Sequence, residues 1–183
     1  MRSDGEFEVG ERAVYPVHGV VEVVRIEEKE LGGARQRFYV LSILGLDRKI
    51  LVPTANAVAV GLRPIAGADE VATVLAVLAE KPTTFDLQTW NRRARAFADK
   101  MKTGNLMDTA EIVRELGWLR AKKPLAFGER RILDTTLGLL VKEISLSRGT
   151  NEDLVRAEIE GLFGPSEGLG TSAGLGLSEI APS

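Results

Sequence analysis

The sequence predicts an α+β protein, a small and strongly bent antiparallel β-barrel followed by a compact all-α helical module. Three observations lead there. Short β-branched segments punctuated by glycine and proline fill the first third of the chain. From about residue 67 apolar residues recur at spacings of three and four instead. The later segments are bounded by strong helix caps, among them Gly104-Asn105 and Asn151.

In chain order, Val9 to Tyr15 alternates and stops at Pro16, and Val20 to Ile26 follows Gly19 as a second strand. Gly32-Gly33 marks a tight turn, because glycine takes positive φ without steric penalty. Arg37 to Ile43 is the third strand, and Lys49 to Val52 the fourth, closed by Pro53. A unit of this size is marginal alone and must pack on or bind something. The helical part opens with Val71, Val74, Leu75 and Leu78 in register on Asp69–Leu78. Glu80 to Phe85 reads as a connector. A helix from Leu87 to Lys102 ends at Gly104, and Asn105 is positioned to cap the next, with Asp108 in a capping-box place. That helix runs towards Lys122. Further helices cover Gly128–Ser147 and a short stretch after Asn151. The expected division is residues 1–66 for the β module, 67–164 for the helices and 165–183 for a flexible Gly/Ser-rich tail.

Composition narrows the chemistry. There is no cysteine, which excludes disulfides, thiolate zinc sites and a cysteine nucleophile. One histidine, His18, cannot build a triad or a histidine metal cluster; it reads as part of a turn. No phosphate loop or dinucleotide fingerprint is present. The expectation is a protein that is not an enzyme and needs no cofactor or metal. The absence of a signal peptide or a long apolar run points to the cytoplasm and away from a membrane.

Charge is distributed unevenly. Residues 86–149 hold 13 Lys/Arg against 8 Asp/Glu, whereas residues 150–183 hold 1 against 6. The basic excess is concentrated in Trp90–Lys102, where Trp90, Ala94, Phe97 and Met101 form one apolar stripe. Arg92, Arg93, Arg95, Lys100 and Lys102 face a single acid, Asp99. Three arginines at a helix N-terminus oppose the macrodipole, so folding alone does not favour them. The segment reads either as a phosphate-contacting helix with Trp90 free to stack or wedge, or as a solvated basic face with Trp90 in the core. Lys122-Lys123 and Arg130-Arg131 widen the basic surface on the first reading. Trp118 reads as core.

Taken together, these segments resemble the CarD/CdnL family of bacterial RNA polymerase-binding transcription regulators. Val9-Gly-Glu-Arg-Ala-Val-Tyr-Pro-Val-His-Gly19 is similar to the opening signature of the family, and Leu51-Val-Pro-Thr-Ala-Asn56 to the segment that closes its barrel. Thr89-Trp-Asn-Arg-Arg93 resembles the start of its DNA-contacting helix. Lys102-Thr-Gly-Asn105 and Glu111-Ile-Val-Arg-Glu-Leu116 resemble the stretch beyond that start. The similarity runs from Phe7 to Phe163.

The resemblance implies a Tudor-like N-terminal module that pairs a strand edge with the RNA polymerase β subunit. It implies a helical module that contacts promoter DNA at the upstream edge of the melting bubble, largely without sequence preference, and so stabilises the open complex. Trp90 would be the minor-groove wedge, with Arg92, Arg93, Arg95, Lys100 and Lys102 along the DNA. Lys29, Leu31, Ile50, Leu51 and Val52 align with the polymerase-facing segments, although some members carry arginine where this chain has Lys29 and Leu51. The resemblance also implies a cytoplasmic, nucleoid-associated monomer, with room for an additional regulatory protein on the β module. Some relatives continue into an acidic region and an AT-hook-like tail, so the Gly-rich end reads as a true tail or as a linker. A pure protein-interaction module and a carboxylate enzyme are the alternatives; they predict, respectively, a buried Trp90 and a pocket with convergent acids.

Overall fold

A computed structural model describes residues 5–83 and 89–164. Strands β1 (Arg12–Tyr15), β2 (Gly19–Leu31), β3 (Ala34–Ile43), β4 (Lys49–Pro53) and β5 (Arg63–Pro64) precede five helices. These are α1 (Ala68–Ala79), α2 (Trp90–Thr103), α3 (Leu106–Lys122), α4 (Phe127–Arg148) and α5 (Glu152–Leu162). The α+β arrangement is as predicted.

The strands form one antiparallel sheet in the order β4-β3-β2-β1-β5. It is not closed, which corrects the barrel expectation: β4 and β5 stand at opposite edges. Bending comes from a bulge, where the β2–β3 ladder passes from Val23 to Arg25. β2 also runs five residues beyond the predicted Ile26, to Leu31. The residues at the end of this hairpin are exposed on both strands, so no apolar alternation announces them. Phe7, Val21, Val23, Tyr39, Leu41 and Val52 pack together as the core of the sheet. The phenol oxygen of Tyr39 accepts the Phe7 N–H at 3.1 Å.

The helices surround Val74, Leu78, Phe97, Ile112, Leu116, Leu137, Leu140, Ile144 and Ile159. Their caps follow the sequence signals. Asn105 accepts the Met107 N–H and Asn151 the Asp153 N–H, each at 2.7 Å, and Gly104 takes φ 66°. Asp108 does not form the expected capping box. It accepts the Thr103 hydroxyl at 2.6 Å, and Thr103 in turn accepts the Asn105 N–H at 3.1 Å. Trp118 packs on the helical core with its ring edge-on to Phe163. His18 is exposed and its ring lies 5.4 Å from that of Tyr15.

A buried ion pair joins sheet to helices. Arg63 of β5 donates to both carboxylate oxygens of Glu143 in α4, at 2.6 and 2.9 Å, and to the Gly104 carbonyl at 2.8 Å. Glu143, with 4% of its side chain exposed, also accepts the Ala66 N–H at 3.0 Å. Pro16 packs so closely on Gly61 and Gly104 that a Cβ at either would lie 2.7 Å from its ring. Three segments distant in sequence thus meet at one joint.

Candidate nucleic-acid interface

The six residues singled out on α2 divide into three groups. Trp90, the first residue of the helix, is half-buried, one side on the helical core. Its indole lies over Gly128 of α4; a Cβ there would sit 2.5 Å from Cζ2 and 3.0 Å from Cε2. The ring therefore fits only because residue 128 has no side chain. Neither the buried nor the free extreme foreseen for Trp90 describes it: the ring is seated against Gly128 and the helical core, and the residue stays partly exposed.

Arg92 and Arg95 are exposed, form no ion pair with a described residue, and line an open groove with Asn91, Ala96 and Asp99. Arg93 points the other way. Only 11% of its side chain is exposed; it donates to Glu129 at 2.8 Å, comes within 3.7 Å of Glu115 and sits over the Phe97 ring. Glu129 completes the arrangement by accepting the Ala126 N–H at 2.9 Å, which caps α4. Arg93 thus anchors α2 to the first turn of α4, the turn that carries Gly128. Lys100 pairs with Glu111 at 2.5 Å and Lys102 with Asp99 at 3.6 Å.

One further exposed aromatic stands here, outside the residues that the charge pattern singles out. Phe127 opens α4, next to the glycine under Trp90, and is 77% exposed. It stands six residues ahead of Leu133, about 120° from the buried stripe that Leu133 begins. An aromatic off the apolar stripe was the available signal. Lys123, Arg130 and Arg131 are exposed around it.

On the sheet, β4 is an edge strand whose alternation turns Val52 and Ile50 inward and Leu51 outward. Leu51 is 46% exposed and Leu31 53%. Lys29 lies 3.5 Å from Glu27, whose carboxyl is held below the usual range chiefly by a hydrogen bond from Arg25. Among the described residues, no group of acids, histidine or cysteine could hold a metal, and no helix is long and apolar enough to cross a membrane.

An edge-exposing sheet is thus locked to a helical bundle that carries an aromatic and basic corner, and comparison with known proteins supports a transcription factor of the CarD type. The family descriptions bear on each part: the CarD-like/TRCF RID domain matches residues 7–66, and the CarD C-terminal domain matches residues 73–160. The chain belongs to the CarD/CdnL family. It is similar to the "Putative transcription factor YdeB" of Bacillus subtilis (strain 168), at 27% identity over 151 residues, 82% of this chain and 98% of that one.

The Trp90 seat supports a direct prediction. Gly128→Ala favours the helix, by less than the ~1 kcal/mol of an interior site because residue 128 lies in the first turn, yet its methyl occupies the space of the indole. In a Trp118→Phe background, the remaining indole emission is expected to shift to the red as the ring is displaced, with the melting temperature nearly unchanged. Unaltered emission would mean that the ring does not rest on residue 128.

Proposed function

We propose that this protein regulates transcription initiation by docking on the RNA polymerase β subunit and holding promoter DNA in the open state. The observation that carries the reading is the corner at the start of α2. There a half-buried, partly exposed Trp90 precedes the exposed Arg92 and Arg95, neither of which is committed to a carboxylate among the described residues. A flat apolar ring flanked by exposed guanidinium groups suits a minor groove, where a wedge separates base steps and cations meet phosphates. Lys102, whose surface pair with Asp99 is worth little, can exchange that carboxylate for a phosphate. Lys100 can do so at the cost of its contact with Glu111. Arg93 serves in this scheme to position Trp90.

Residues 1–66 form the polymerase-docking module and 67–164 the DNA-contacting module, in a monomer resident at the nucleoid; 165–183 lie outside the described residues. Strand addition at β4 supplies the polymerase contact. Backbone groups along Ile50–Val52 give affinity, and the outward Leu51, with Leu31 and Lys29 on the long hairpin, gives specificity. The match of residues 7–66 to the RID description supports this assignment. An additional regulatory protein could use the remaining surface of the sheet.

The test is the lifetime of open complexes formed by bacterial RNA polymerase on one promoter, measured over a salt series. Wild-type protein is expected to lengthen the lifetime. The Arg92→Gln/Arg95→Gln double variant is expected to flatten the salt dependence by about one unit of logarithmic slope for each phosphate it no longer neutralises. No lengthening by a polymerase-bound, folded protein would leave a protein-interaction module instead, and an unchanged slope would remove both arginines from the DNA.

A further inference from the structure

We propose that Phe127 is a second DNA-contacting aromatic, which with Trp90 makes the wedge a pair rather than a single ring. The inference rests on the DNA-wedge reading of Trp90 and extends it to a residue on a different helix. At 77% exposure Phe127 is the most exposed large hydrophobic side chain of the described residues, and it contributes nothing to the core. It precedes Gly128, on which the Trp90 indole lies, and successive residues of a helix point about 100° apart. The phenyl ring therefore leaves the first turn of α4 about a quarter-turn around from the seat of the indole.

Charge identifies the partner. Lys123, Arg130 and Arg131 are exposed and form no ion pair with a described residue. Of the acids at this corner, Glu129 is buried and committed to Arg93 and the Ala126 N–H, Glu115 lies 3.7 Å from Arg93, and Asp99, which shares the groove of Arg92 and Arg95, pairs with Lys102; that leaves Asp134 on the following turn. Arg92 and Arg95 complete the cationic surroundings on the other side of the indole. An exposed ring among such cations is matched by a polyanion that offers flat apolar faces, which describes nucleic acid. Every base has a π-face, and phenylalanine has no donor or acceptor with which to read an edge, so its contact is indifferent to sequence.

The experiment uses the full chain in complex with polymerase and promoter DNA. Phe127→Ala should melt as the wild type, since the ring is exposed, yet shorten the open-complex lifetime about five-fold, the low end for removal of one stacking partner. Phe127→Tyr should restore it. With p-benzoylphenylalanine at position 127, irradiation should crosslink the protein to promoter DNA. Crosslinks to a polymerase subunit alone, or a Phe127→Ala lifetime equal to wild type while Trp90→Ala shortens it, would overturn the proposal and leave the DNA-wedge reading intact. If neither variant changed the lifetime, that reading itself would fail.

Discussion

Glu143→Ala is expected to destabilise the fold by about 3 kcal/mol, the lower part of the range for breaking a buried ion pair from one side. The lower part applies because the Arg63 side chain retains 24% exposure and recovers some hydration. Alanine leaves a guanidinium with two of its donors unmet and orphans the Ala66 N–H, both previously satisfied by one carboxylate. Replacing both partners by apolar residues, Arg63→Met with Glu143→Leu, should return most of the loss, since the penalty comes from uncompensated charge. Thermal unfolding of Arg63→Met, of Glu143→Leu and of the double variant, with Glu143→Ala beside them, measures this. Additive losses would show that the pair is not coupled. A second, lower transition in Glu143→Ala would locate the damage at the joint between sheet and helices. On the proposed function, that joint also fixes the distance from β4 to Trp90, so a polymerase-bound variant should stabilise open complexes poorly.

Trp90→Ala is expected to shorten the open-complex lifetime about ten-fold, equivalent to about 1.4 kcal/mol of DNA-binding energy. Folding also loses some stability, because one face of the ring packs on the helical core. A fully buried tryptophan costs about 3–5 kcal/mol on truncation, and a half-buried one correspondingly less. The two effects separate experimentally: polymerase binding through β4 should be unchanged, and Trp90→Phe should preserve the fold while recovering part of the lifetime. A lifetime that tracks only the loss of folding would assign Trp90 to the core.

Much of the fold is legible along the chain because its signals are local. Asn105, Asn151 and Gly104 act on backbone groups within one turn, and a window of a few residues contains both partners. The same holds for Gly32-Gly33 at the head of the long hairpin. β5 escapes such a window because two residues carry no periodicity. The end of the β2–β3 hairpin escapes because both of its faces are solvated and alternation disappears there. The barrel expectation assumed closure, which depends on how far β4 stands from β5.

Local sequence was enough to set the α+β order, most helix limits, the family resemblance and the basic, tryptophan-bearing character of α2. Only the packed fold shows which of those side chains remain available. Arg93 and Arg95 are indistinguishable in a window of charge, yet Arg93 meets Glu129, 36 positions away, and Arg95 meets no described carboxylate. Arg63 likewise finds Glu143 across 80 positions, and Phe127 acquires meaning only beside a glycine that seats Trp90. Periodicity and capping are properties of neighbours along the chain. Charge pairing, burial and the accessible face of an aromatic ring depend on neighbours in space, and packing alone brings those together.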